Sequence, residues 1–444
     1  MRLPTHRLSL FVTSGLVIGG ISLPITMLLP TFYAETVGID LTLVGTIFML
    51  TRFWDVFTDP LMGVISDRFP SRFGRRRHWL VFSIPIIVGA LLALCFPPAG
   101  AGPAYLAFCL FIFYIGFTLA SISMFAWAAE VSTDYHERSR IMAFLQAANG
   151  LGTLALLVSI AYLDMNGAPL DRKVATVGLL LACAAPVAFF VSVLSVSEPP
   201  AQRRKPQTST NWLNVLRSNK ALQLLLGADL LFGLVQGLFF GLVIFYASDV
   251  LKLPQASGIF MLLMLAVGVP AIVLWARLSK RYGKHKVLAY ASLTGAAMTF
   301  FLGVAPAGNM AFGAVAFGLQ GFGLGAALYL TKSIMADVAD EDRLLSGEDR
   351  TGLMYAFLTL TYKVGLAFAL GLSFPILDAF GFRPGEENAG SAILSLRALM
   401  VFGPAACFLG AAFLLWRFPI DEAQQKKLRT LIADEPAFAG KTKQ

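Results

Sequence analysis

The sequence predicts an all-α polytopic membrane protein, with twelve transmembrane helices in two pseudo-symmetric six-helix bundles, and three observations predict it. The first is composition: of 444 residues, 57% are hydrophobic and 14% charged, against roughly 45–50% and about 25% in soluble chains. That excludes a soluble enzyme. The second is length, because ~20 apolar residues per crossing plus short connections leave room for on the order of twelve crossings. The third is a set of polar motifs that recurs at matching places in the two halves. The net charge of +9 does not point to nucleic acid, since basic residues of a polytopic chain gather in cytoplasmic loops that face anionic lipid. Membrane lipid and a small-molecule substrate are the expected partners, and the chain is expected to work as a monomer.

Taken in order, the first apolar run, 8–33, is too long for a signal-peptide core and lacks a small-residue cleavage site, so it is the first span. Runs at 42–65, 79–98, 103–127, 141–163 and 174–195 complete the first set. Runs at 221–248, 257–276, 287–306, 309–334, 352–380 and 393–416 form the second. Short breaks at Pro97-Pro98 and Pro306–Gly308 separate neighbouring spans within each set. Between the sets, 198–220 carries Pro199, Pro200, Arg203, Arg204, Lys205 and Pro206 with no long apolar run. This linker divides an N-terminal bundle, 1–197, from a C-terminal bundle, 221–418, and 419–444 reads as a tail. Most Lys and Arg fall in segments on one side, with only Arg172, Lys173, Lys252 and Arg383 in the opposite loops. The bias places linker, tail and both termini in the cytoplasm, as for an inner-membrane protein.

The repeat is visible between spans two and three, where Ser66-Asp67-Arg68 is followed by Arg72-Phe73-Gly74-Arg75-Arg76-Arg77. Placing Gly74 on Gly283 of the loop after span eight also aligns Arg68 with Arg277 and Arg72 with Arg281. At nearly the same offset, Ala129-Glu130-Val131 matches Ala336-Asp337-Val338. Cys95, Cys109, Cys183 and Cys407 sit singly in apolar runs, and His6, His78, His136 and His285 lie at segment ends. Neither set has the spacing of a disulfide framework, a zinc site or a hydrolytic centre.

A charge at the bilayer centre costs at least ~2.5–3.5 kcal/mol, so each one in a span needs a reason. The second span holds Thr51, Arg52, Asp55, Thr58 and Asp59. Asp55 and Asp59 are i,i+4 neighbours flanked by the two threonines on one helical face. Such a cluster suits Na+, or a carboxyl pair whose mutual repulsion stores a proton. Arg52 can neutralise Asp55 and leave Asp59 to titrate; the structural alternative is an Arg52–Asp55 ion pair with Asp59 near the membrane edge. Lys363, beside Tyr362 in span eleven, must find a partner across the bundle, and Asp55, Asp59 or a polar substrate can supply it. Asp229 in span seven faces either the cavity or polar neighbours. Trp127, near Ser123, can stack on a sugar face, and Gln146 and Asn149 add amides at i,i+3. For these the alternative is packing and interhelical hydrogen bonding.

The run Arg52-Phe53-Trp54-Asp55-Val56-Phe57-Thr58-Asp59-Pro60-Leu61-Met62-Gly63, with the Ser66–Arg77 loop, resembles the signature of the glycoside-pentoside-hexuronide:cation symporters of the major facilitator superfamily. The match recurs at Trp127, Glu130, Glu137-Arg138, Ala336-Asp337-Val338 and Tyr362-Lys363-Val364-Gly365. The resemblance implies the major facilitator fold, alternating access around a central cavity, no enzymatic activity and no cofactor beyond a coupling ion, H+ or Na+. It puts Asp55 and Asp59 at the cation site, with Thr58 where such carriers often have an amide; Arg52, as the neighbour that offsets Asp55, completes the cation-site candidates, with Na+ a candidate at the two acids. It places Lys363 and Trp127 around the substrate, and the residues themselves add Ser123, Gln146, Asn149, Asp229 and Tyr362 as substrate-site candidates. Three positions depart from the family's melibiose-carrier pattern: Gly19-Gly20, Ser123 and Gln146 stand where that pattern has two acids and an arginine. The expected activity is therefore symport of a small organic solute, a sugar or glycoside. The alternative is a lysolipid or amphiphile transporter of the same fold; a non-transporting receptor-like protein is disfavoured by its buried charges. Asp67, Arg75 and Glu130, with Arg138 or Arg140, are expected to form a cytoplasmic gating network, with Arg76 and Arg77 as solvated anchors or as part of it.

Overall fold

Mostly apolar runs of 19 to 37 residues become helices because hydrocarbon offers backbone N–H and C=O groups no partner outside the segment itself. The structure, a computed structural model, describes residues 3–68, 71, 74, 76–132, 135–198, 212–346 and 350–419. Among the described residues, 12 helices are long and apolar enough to cross a membrane. They are α1 (Thr13–Glu35), α2 (Leu41–Arg68), α3 (Arg77–Cys95), α4 (Pro103–Glu130), α5 (Tyr135–Met165) and α6 (Leu170–Ser195), then α7 (Lys220–Phe245), α8 (Ser257–Tyr282), α9 (Lys284–Gly303), α10 (Met310–Ser346), α11 (Thr351–Ala379) and α12 (Gly390–Trp416). A short helix, Thr5–Phe11, precedes α1, and a π turn, Tyr246–Val250, follows α7. The expected spans are found, but several ends move. The tenth, expected to stop at 334, continues to Ser346, because Asp, Glu and Arg carry the hydrogen-bonded ladder past the point where apolar residues stop. Nearly all of the expected linker before Trp212, and the tail from 420 onward, lie outside the described residues.

The packing repeats as the motifs do. In the first set α1 packs on α5 and α6, α3 on α4 and α6, and α2 on α4; adding six to each number reproduces the pairs of the second set. Across the sets α2 meets α11, α5 meets α8 and α1 meets α7. The matched loop glycines have a physical reason: Gly74 and Gly283 hold φ of +120° and +87°, which L side chains adopt only under strain.

Equivalent crossings also share their glycines. Where α1 meets α5, a Cβ on Gly19 would stand 2.1 Å from the Asn149 carbonyl oxygen and one on Gly152 1.8 Å from that of Leu16. Where α7 meets α11, the corresponding distances are 2.3 Å from Gly233 to the Tyr362 oxygen and 2.1 Å from Gly365 to the Leu230 oxygen. Backbones this close leave no room for a side chain. The absence of an acid at Gly19 thus follows from the helix crossing.

Candidate functional site

The expected charge cluster forms where α2 crosses between α4 and α11. Lys363 Nζ on α11 lies 2.5 Å from Asp59 Oδ2 and 3.9 Å from Asp55 Oδ2, so it bridges the two sets of helices. Arg52 lies 3.5 Å from Asp55 on the same helix, at the i,i+3 spacing. Its guanidinium also stands over the Tyr114 ring, 4.5 Å from the centroid. The cluster contains two acids and two bases, so its formal charges sum to zero in a place where an unpaired charge would be expelled.

Two expectations about this cluster change. Asp59 is not left without a cation by the Arg52–Asp55 pair, because Lys363 reaches it across the interface. The hydroxyls of Thr51 and Thr58 do not converge on the carboxylates: Thr51 donates to the Ile47 oxygen at 2.8 Å and Thr58 to the Trp54 oxygen at 3.2 Å, each one turn back on its own helix. The hydroxyl that meets Asp59 comes from Thr118 on α4, at 2.9 Å. Tyr114 and Thr118, four residues apart, form the α4 face of the cluster, and sequence reading did not single them out. Asp55 Oδ1 is buried with no hydrogen-bond partner among the described residues. With the Asp59 carboxylate, this open oxygen fits a proton or a monovalent cation.

The expected substrate residues scatter. Trp127 has no exposed surface; Phe11 packs edge-on against it at 4.8 Å and the Arg77 guanidinium lies 6.0 Å away. Its ring is enclosed by the short N-terminal helix and the start of α3, which corrects the cavity-lining expectation for this conformation. Ser123 is likewise fully buried. Gln146 is exposed, while Asn149 spends its backbone on the Gly19 crossing and buries its Oδ1 without a partner among the described residues. Asp229 is buried at the α7–α11 crossing, where Thr361 donates to it at 2.9 Å. Thr361 and Lys363 stand about 200° apart around α11, so Asp229 belongs to the packing of its own half, away from the α2–α11 cluster. Tyr362 gives its carbonyl to the Gly233 approach.

At the end of the bundle that carries the linker, each half closes on itself. Arg76, buried, pairs with Glu130 at 3.1 Å, and Lys284 pairs with Asp337 at 2.7 Å, which joins the repeated loop to the repeated acid in both halves. Glu198 accepts from the backbone N–H of Arg76 and Arg77 at 2.8 and 3.3 Å, and a Cβ on Gly74 would stand 2.1 Å from its Oε2. Arg140 pairs with Glu137 at 3.0 Å. Glu130 of the expected network is thus engaged by Arg76, for which a solvated anchor and a place in the network were both open. Arg75 and the side chains of Asp67 and Arg138 lie outside the described residues.

At the opposite end, the hairpin end, the halves touch. Asp164 on α5, fully buried, accepts from Ser257 Oγ at 3.1 Å and from the Gly258 N–H at 2.6 Å, both at the start of α8, and pairs with Lys173 of α6. Thr42 on α2 donates to Asp378 on α11 at 2.8 Å. None of these residues was singled out from sequence, except that Lys173 was expected in an exposed loop. Nothing local links position 164 to 257; the one available sign was an acid at the end of an apolar run.

The profile of the MFS/sugar transport protein family matches residues 10–422. The chain belongs to that family. The resemblance to the glycoside-pentoside-hexuronide:cation symporters is borne out, and a member of this family is a transporter, not an enzyme. The isoprimeverose transporter of Lactiplantibacillus pentosus is 24% identical over 90% of this chain and 85% of its own length. The human sodium-dependent lysophosphatidylcholine symporter 1 is 25% identical over 89% of this chain and 80% of its own. A crystal structure of the nucleoside transporter NupG superposes with a TM-score of 0.72 at 15% identity, covering 93% of this chain and 99% of that one, and shows the shared major facilitator fold.

Proposed function

We propose that this family member is a cation-coupled symporter that takes up a small organic solute, a sugar or glycoside, by alternating access, with its linker end in the cytoplasm. The observation that carries the reading is the Lys363 bridge from α11 to Asp59 and Asp55 on α2. A cation or proton arriving at the two acids competes with the ammonium for the same oxygens, and the displaced Lys363 is then free to meet the solute. Ion binding and solute binding thereby act on one contact between the halves, which is the differential interaction that coupling requires. With the linker end in the cytoplasm, the contacts between the halves at the hairpin end support a conformation closed to the outside.

Asp59→Asn keeps size and hydrogen bonding but fixes the neutral state. It should abolish uphill accumulation while downhill flux or exchange of the same solute persists, with affinity no longer responding to pH or Na+. Full cation-driven accumulation by this variant would overturn the assignment. A lysolipid or amphiphile is the second reading, favoured by the Gly19 crossing that excludes an acid at that position and by a lysophosphatidylcholine symporter among the relatives. Thermal-shift screening of purified protein against sugars and lysolipids, with and without Na+ and at two pH values, separates the two, since only a specific ligand stabilises the folded state by mass action.

A further inference from the structure

The two contacts at the hairpin end are copies of one another. Asp164 is the penultimate residue of α5 and Asp378 the penultimate residue of α11, and α5 and α11 are the equivalent helices of the two halves. Each acid holds a cation from its own half: Lys173 at the start of α6 for Asp164, and Arg383 in the loop before α12 for Asp378. Each also accepts a hydroxyl from the first turn of a helix in the other half, Ser257 of α8 and Thr42 of α2. The helices α8 and α2 are again equivalents.

We propose that Asp164 and Asp378 form a duplicated pair of clasps that hold the hairpin end shut and open together as the transporter turns outward. Each carboxylate meets the first turn of the opposing helix, where the macrodipole favours negative charge. Gly258 N–H supplies such a contact directly, at 2.6 Å. The own-half cation is what makes the clasp reversible. When the halves part, Asp164 keeps Lys173 and Asp378 keeps Arg383, so opening breaks hydrogen bonds without leaving a bare carboxylate at the membrane interface. An acid whose only cation lay across the seam would be stranded on every cycle. The arrangement therefore separates a permanent bond, which holds the charge, from a transient one, which reports whether the end is closed. This inference deepens the alternating-access reading but depends on neither the solute nor the coupling ion.

The test removes the two side-chain donors of the transient bonds and leaves the permanent pairs, together with the Gly258 N–H contact. Thr42→Val and Ser257→Ala delete the two hydroxyl donors while both acids keep their cations, so folding is preserved. A reporter cysteine, Met49→Cys, sits on α2 against Gly371 of α11, inside the seam, on a background without the four native cysteines. Maleimide labelling is followed on purified protein in lipid nanodiscs. A hydrogen bond to a charged group corresponds to roughly a tenfold population shift, so the double variant should label about tenfold faster or more. Each single variant should fall between, and Ser257→Thr, which restores a hydroxyl, should match the parent. Unchanged labelling in the double variant overturns the clasps, as does Ser257→Thr labelling as fast as Ser257→Ala. Because labelling needs no solute, a negative result leaves the symport reading standing, and a failed Asp59→Asn experiment leaves the clasps standing.

Discussion

Lys363 and Asp59 meet at 2.5 Å although 304 positions separate them in sequence, and they join α11 of one half to α2 of the other. Both side chains are about one-quarter exposed, so the contact is reachable by an ion and by solute.

Removing one partner should cost more than removing both. Lys363→Ala leaves Asp55 and Asp59 one turn apart with only Arg52 as a fixed cation, and it should lower stability by ~1–3 kcal/mol, below the 3–5 of a fully buried pair because of the partial exposure. Cation-driven uptake should be lost. In thermal unfolding of the detergent-purified protein, Asp59→Asn/Lys363→Ala should melt above Lys363→Ala while uptake stays absent. Equal melting temperatures would show that the pair does not govern the α2–α11 contact.

The Lys173–Asp164 pair is more deeply buried, 9% and 0% exposed by side chain. Lys173→Met should therefore destabilise by about 3–5 kcal/mol through the stranded carboxylate. Asp164→Asn/Lys173→Met should recover most of that loss, as read from denaturation midpoints. A single variant as stable as the parent would mean that the pair is solvated in the membrane.

At the α1–α5 crossing, neighbouring glycines should behave oppositely. A Cβ at 19 would fall 2.1 Å from the Asn149 carbonyl oxygen, whereas a Cβ at 20 has its nearest neighbour at 3.4 Å. Gly19→Ala should force the helices apart and cost about 1–3 kcal/mol or more through overpacking, and Gly20→Ala should be close to neutral. Comparing yield and melting temperature of the two variants checks this, and a tolerated Gly19→Ala would refute the close approach.

Glu198, the first residue of the linker, caps the start of α3 through the N–H groups of Arg76 and Arg77. Glu198→Ala removes an acceptor from the first turn of a helix, a loss of about 0.5–2 kcal/mol. Amide hydrogen exchange at Arg76 and Arg77 should accelerate while exchange in α9, the equivalent helix of the other half, stays unchanged. Equal acceleration in both halves would point to global destabilisation instead.

The chain's chemistry by itself determined the crossings, the repeat and the presence of a charge cluster on the second span. Those features are local: apolar run length, a Gly pair at positive φ, and carboxylates at i,i+4 are set by neighbours within a few turns. That Lys363 needs a partner was legible for the same reason, since hydrocarbon penalises a lone charge wherever the helix is placed. Which acid it takes was not legible. That choice depends on the rotation of α11 against α2, fixed by side chains and glycines packed along the whole crossing. The same holds for Trp127, which a short helix before α1 encloses, and for Arg76, which is buried beside Glu130. Only the tertiary structure could decide the pairing of Asp164 with Ser257 and of Asp378 with Thr42. Helix ends far apart in sequence become neighbours when two six-helix units pack face to face, and one unit's sequence records no pairing energy with the other.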